Sequence, residues 1–313
     1  MDPTEQYIAH HKQIFSLKNK IKKMHSSRPQ RLVGWSFLRL IKHHIKSIVR
    51  CLIYFPVSIY QGRKFLCKTW NLRGYAKKKR ALVIGNGPSQ GYIKAEELNE
   101  FVKLGGDTYC VNYWNQNSKL STHVPTWMLF SDPDTLSKKL PKSISLIEYL
   151  KNNRSIKIIV PTSQIKLIKE LGLTNEIYCF IDQELSIWKN INPLFPRGYL
   201  SMTMYKALAW AVHLGYESIG VIGMDNTYAR NIYNDKDNHL QRLDNVSGID
   251  DCLIDLSSYY FNVASNIDDV VRLFYHLEYF PIKNILNLDP YSLTDRFKKI
   301  NKNDFFKDIK IKS

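Results

Sequence analysis

What most limits the fold of this chain is a series of short apolar runs separated by segments of helical period. The first run, Ala81-Leu82-Val83-Ile84, follows directly on Lys77-Lys78-Lys79-Arg80 and is apolar at every position, as a strand covered on both faces must be. Runs at 108–111, 126–130, 156–160, 176–180, 218–222 and 282–288 repeat it, and helical-period segments at 95–104, 163–171, 201–214 and 266–279 stand between several of them. Such alternation predicts an α/β fold with a doubly wound, mostly parallel sheet. Residues 226–257 break the pattern, being polar, aromatic and aperiodic. A stretch of that length inside a compact unit predicts a lid, at about 226–262.

With 313 residues and 44% hydrophobic content, the chain can fill a sizeable core. Its net charge of +17 at first points to nucleic acid, but the charge is not spread evenly. Residues 1–80 hold 19 Lys and Arg against only Asp2 and Glu5, while residues 81–313 hold 26 of each sign. The sequence therefore divides into a basic helical region, 1–80, and an electrically balanced body, 81–313. Within the basic region, Leu38, Ile41, Ile45, Ile48, Val49 and Leu52 recur at helical spacing, with Arg39, Lys42, His43, Lys46 and Arg50 on other faces. This predicts a cationic amphipathic helix over 37–55 that Pro56 kinks or ends. Two roles fit such a helix: lying on an anionic membrane surface, or packing its stripe on the body. Nucleic acid is disfavoured as a partner because the aromatic residues form no stacking platform. The longest apolar run, 51–57, is far short of the roughly 20 residues that span a bilayer. Five scattered cysteines without paired metal-ligand spacing fit a reducing compartment.

Chemistry is expected where strands end. Val83-Ile84-Gly85-Asn86-Gly87-Pro88-Ser89 is a strand running into a glycine-rich turn, where backbone amides can approach a phosphate and Asn86 and Ser89 add donors. It is neither a dinucleotide fingerprint nor a P-loop, and a plain tight turn is the competing reading. Tyr109-Cys110-Val111-Asn112 puts an asparagine at a second strand end, and Ser131-Asp132-Pro133-Asp134 follows a third. The D-x-D spacing of Asp132 and Asp134 offers hard oxygen ligands to a divalent cation, or equally an Asp-Pro turn. Ile222-Gly223-Met224-Asp225 ends another strand, with Tyr228 and Tyr233 five residues apart beyond it.

In order along the chain, Ile84 to Ser89, Cys110-Val111-Asn112, Ser131-Asp132-Pro133, Leu214 to Ile219 and Gly223-Met224-Asp225 resemble bacterial sialyltransferases of glycosyltransferase family 42. The resemblance covers roughly residues 80–295 and leaves the basic region without a counterpart. It implies a Rossmann-like domain with a lid, a CMP-activated nonulosonic acid as donor, and no metal. On the matching positions, it implies that Gly85, Asn86, Gly87, Ser89, Asn112, Asp132 and Thr203 hold the donor nucleotide. Tyr228 and Tyr233 would steady the departing phosphate. Asp132 and Thr203 stand where the family has Asn and Ser. The family's catalytic histidine falls on Val263, so the base is sought in His239, with Asp132 and Asp225 as alternatives.

The expectation is a transferase passing an acidic sugar from a CMP donor to a saccharide acceptor of a bacterial surface glycan such as lipopolysaccharide or capsule. It would work in the cytoplasm, on the inner face of the cytoplasmic membrane, its basic region holding it beside a lipid-linked acceptor. The glycine-rich turn is also similar to those of motility-associated glycosyltransferases and 6-hydroxymethylpterin diphosphokinase-like enzymes. That leaves two alternatives: an ATP-dependent pyrophosphoryl transferase with magnesium on Asp132 and Asp134, and a non-catalytic basic adaptor.

Overall fold

The computed structural model describes residues 37–138, 140–185, 187–198, 202–224, 277–290, 292 and 294–310. Among the described residues eight strands form one sheet: β1 (Arg80–Ile84), β2 (Asp107–Val111), β3 (Trp127–Leu129), β4 (Lys157–Pro161), β5 (Ile177–Phe180), β6 (Ser218–Ile222), β7 (Ile285–Asn287) and β8 (Lys298–Lys299). The order across the sheet is β5-β4-β3-β2-β1-β6-β7-β8, and every neighbouring pair is parallel. The chain winds outward from β1 to β5, then returns to place β6 on the other side of β1. This is the open, doubly wound α/β sheet of a Rossmann-like fold, with its topological switch between β1 and β6.

Alternation along each strand explains the two cores. Leu82, Ile84, Cys110, Met128, Ile158 and Val160 face one side, where α2 (Ala95–Lys103), α3 (Pro141–Asn152) and α4 (Ile165–Glu170) cover them. Ala81, Val83, Tyr109, Val111, Trp127, Leu129 and Ile159 face the other, where α5 (Thr203–Leu214) lies across them. Helix α5 is apolar nearly all round, and Gly215 ends it in the left-handed conformation at φ +77°. The C-terminal segment gives β8 and α6 (Lys302–Lys310), with Phe305 fully buried and Lys302 Nζ 2.8 Å from Glu97 Oε1.

The predicted helix of the basic region is longer than expected. Helix α1 runs Phe37–Asn71 and does not end at Pro56, which lies inside it and is exposed. Residues on the opposite side of α1 hold it in place. Glu176 turns its carbonyl to β4, so that of Cys179, three residues on, faces outward from the edge strand, and Thr69 Oγ1 donates to it at 2.9 Å. Gly62 packs so closely on Thr162 that a Cβ there would stand 2.6 Å from Thr162 Cγ2. Ser47 Oγ donates to the Glu184 carbonyl at 2.8 Å, and Leu66 joins the core. The docked face is thus Ser47, Cys51, Ser58, Gly62, Leu66 and Thr69, all buried. Most of the stripe read from the sequence faces the other way: Ile41, Ile45, Val49 and Leu52 are exposed and do not pack on the body, while Ile48 is half-buried.

Candidate functional site

The carboxyl ends of β1 and β6 meet at the switch point, and the two glycine turns are locked together there. Gly85 N–H donates to the Ile222 carbonyl at 2.8 Å, Gly87 N–H to the Gly223 carbonyl at 3.0 Å, and Gly223 N–H to Ser89 Oγ at 2.9 Å. A Cβ on Gly85 would overlap Met204 Sδ and the Gly223 carbonyl, while Gly223 sits at φ +73° with its Cα face against the Gly85 backbone. The glycines are therefore required by the close approach of two backbones. Ser89 is buried and its hydroxyl is engaged with Gly223, a fastening role within the turn. Beyond it, Gln90 Oε1 accepts from Asn117 Nδ2 at 2.8 Å, tying the turn after β1 to the loop after β2.

Asn86 and Asn112 stand at adjacent strand ends, each half-buried, and among the described residues neither enclosed Oδ1 has a hydrogen-bond partner. Asn112 alone among described non-glycine residues has positive φ, +52°. Its Nδ2 donates to Thr203 Oγ1 at 3.4 Å, and Thr203 Oγ1 lies 2.8 Å from Ser131 Oγ. Thr203 opens α5, whose N-cap residue Met202 supplies no side-chain bond to the first amides. Two strand ends and a helix N-terminus therefore converge on one hydrogen-bonded cluster, with Asn86 at the end of the neighbouring β1. An uncapped N-terminus carries roughly half a positive charge, which suits an anion such as a phosphate.

Two cations share one carboxylate, one of them three residues past Thr203 on α5. Lys206, one turn into α5, lies 3.7 Å from Asp182 Oδ1, and the buried Arg197 lies 3.6 Å from the same oxygen. Both stand over the Phe180 ring, the Arg197 guanidinium at 4.6 Å. Burial lowers the Lys206 ammonium from its ordinary value, with Asp182 pulling the other way. Reading the sequence missed these residues and Ser131's bond to Thr203, because the pairings join positions remote along the chain.

Asp132 and Asp134 are exposed, and Asp132 Oδ1 accepts from the Asp134 N–H at 3.0 Å. The pair forms a local Asx turn after β3. Among the described residues no three His, Cys, Asp or Glu side chains gather as a metal group would need. Asp225, Tyr228, Tyr233, His239 and Val263, with the lid at about 226–262, lie outside the described residues.

No protein-family model and no curated protein matches the chain. Among solved structures, it is similar to the MAf glycosyltransferase from Magnetospirillum magneticum AMB-1, at 11% identity and a TM-score of 0.44. The likeness covers 80% of this chain and 40% of that one, so the chain spans well under half the length of the protein it matches. The assignment of a doubly wound, Rossmann-like sheet rests on the strand order and pairing themselves.

Proposed function

We propose that the chain is a glycosyltransferase that passes an acidic sugar of the nonulosonic type from a CMP-activated donor to a saccharide hydroxyl. The observation that carries this reading is the pair of enclosed, unpartnered amide oxygens of Asn86 and Asn112 beside the uncapped start of α5, all at the switch point. A buried amide oxygen without a partner costs about 1–3 kcal/mol, a cost that a nucleotide donating to it would remove. The N-terminus of α5 and Thr203 suit the single phosphate of a CMP donor. Displacement would be direct: Tyr228 and Tyr233 donate to the departing phosphate, and His239 or Asp225 takes the acceptor proton. In this reading Gly85, Gly87 and Ser89 shape the donor turn, and Asp132 borders it.

No metal is required by this reading, because the sugar–oxygen bond breaks with its electron pair on the phosphate, and the second negative charge that develops on the departing CMP would be stabilised by the donated hydrogen bonds. Pyrophosphoryl transfer from ATP has less support, since Asp132 is bonded within its own turn. The acceptor is proposed to be a surface glycan under assembly, such as lipopolysaccharide or capsule, and the place of work the inner face of the cytoplasmic membrane. The test is turnover by the full chain: CMP should be released from a CMP-nonulosonic acid when a saccharide acceptor is present, undiminished by EDTA. Turnover of UDP- or GDP-sugars in its place contradicts the reading.

A further inference from the structure

Helix α1 presents three faces along its length. Small residues and Leu66 are docked on the body; Ile41, Ile45, Val49, Leu52 and Tyr60, spaced 4, 4, 3 and 8 residues apart, form an exposed apolar stripe. Leu52 and Tyr60 are 71% and 77% exposed. Lys42, Lys46, Arg50, Lys64 and Lys68 fall on the third face, which borders the apolar one. The helix has seven Lys and Arg in all and no Asp or Glu.

Its position along the sheet is set by two contacts. Gly62 lies against Thr162, immediately past the carboxyl end of β4, and Ser47, about 22 Å further up the helix axis, bonds the loop after β5. The stripe therefore overhangs the carboxyl edge of the sheet, the edge that carries Asn86, Asn112 and Thr203. Three and four residues beyond Glu184, the same loop exposes Ile187 and Trp188, at 59% and 45%.

We propose that the apolar stripe of α1 and the Ile187–Trp188 tip form one surface that seats the carboxyl edge of the sheet on an anionic lipid bilayer. Charge selects the occupant. A second copy of the helix would bring seven cations against seven, and nucleic acid meets the cations but gains nothing from a stripe of Ile, Val and Leu. A bilayer with anionic headgroups satisfies both faces at once, the aliphatic residues entering the acyl boundary while the cations stay at headgroup level. No described helix is long and apolar enough to cross a membrane, so contact is along the surface. The orientation sets the candidate donor site at the lipid surface. Only the corollary that the acceptor is lipid-linked rests on the transferase reading; the lipid contact stands without it.

The test is co-sedimentation of the full chain with phosphatidylcholine vesicles with and without phosphatidylglycerol, at low and high salt. Binding is expected to the anionic vesicles only and to weaken as salt rises. Leu52→Glu and Tyr60→Glu, both at exposed positions, are expected to weaken binding at low salt by roughly tenfold or more with the melting temperature unchanged. Trp188→Ser is expected to weaken it severalfold and to remove part of the quenching of tryptophan emission by brominated lipid. Binding by Leu52→Glu and Tyr60→Glu equal to that of the unaltered chain overturns the proposal, as does a Trp188→Ser variant that changes neither readout. A concentration-dependent dimer abolished by Leu52→Glu assigns the stripe to a second copy instead. The assay contains no sugar donor, so failure of vesicle binding and failure of sugar transfer are read separately.

Discussion

Asn112 holds φ at +52° so that its amide turns from the end of β2 toward the start of α5, where Nδ2 meets Thr203 and Oδ1 stays enclosed without a partner. Backbone and side-chain roles can be separated by substitution. Asn112→Gly accepts the positive φ and should fold as stably as the unaltered chain, whereas Asn112→Ala should lose roughly 1–2 kcal/mol in denaturant titrations. If the amide serves only the fold, the two variants will bind nucleotide alike and as well as the unaltered chain. The asparagine at this strand end was legible in the sequence; its conformation and its bond to Thr203, 91 residues away, depend on how α5 crosses the sheet. His123 illustrates the opposite outcome. It is a buried histidine with Nε2 3.0 Å from Thr108 Oγ1 and Nδ1 2.7 Å from Asn99 Oδ1, and burial lowers its pKa to about 4. A histidine depressed in the folded state contributes stability in full above its unfolded pKa of about 6.5, and that stability is lost as pH falls toward 4. A loss of about 2–3 kcal/mol is expected across that window, and His123→Gln should flatten it in pH-dependent melting curves. An unchanged slope would show that other groups carry the acid sensitivity.

Helix α1 shows how hydrophobic periodicity identifies an element while misdirecting its contacts. The strong stripe of Ile, Val and Leu is exposed, and the face against the sheet is built from Ser47, Cys51, Ser58, Gly62 and Thr69 with Leu66. Small residues let the helix approach the outer edge of β5 closely enough for Thr69 to bond a strand carbonyl, a packing that hydropathy does not register. Gly62→Val should therefore cost roughly 1–3 kcal/mol by forcing α1 off Thr162, while Leu52→Ala should change stability by less than about 0.5 kcal/mol. Equal effects in thermal melts would mean that the helix is not held by its small-residue face. Helices α3 and α6 were not read from the sequence. In α6 only Phe305, Phe306 and Ile309 are apolar in a Lys- and Asp-rich segment, and it is packing of Phe305 on Phe101, with ring centroids 5.9 Å apart, that makes it an element of the fold.

Across the whole molecule, the apolar runs that open the sequence correspond to seven of the eight strands, because a parallel strand buried on both faces must be apolar at nearly every position. The two-residue β8 has no such run, since Lys298 and Lys299 lie at the sheet's outer edge. Strand order was not legible, and it is the order that turns several strand-end motifs into one place: β1 and β6 are 134 residues apart at Ser89 and Gly223, yet hydrogen-bonded. The charge division is likewise given spatial meaning by the fold, since the cationic helix lies along the β5 side and overhangs the edge where the candidate site opens. The central claim is that this switch point binds a cytidine nucleotide through Asn112 and its neighbours. Calorimetric titration of the full chain with CMP, UMP and GMP tests it most directly: CMP should bind most tightly, and Asn112→Gly should weaken it by roughly tenfold or more while leaving the melting temperature unchanged. Preference for UMP or GMP, or CMP binding untouched by Asn112→Gly, would contradict it.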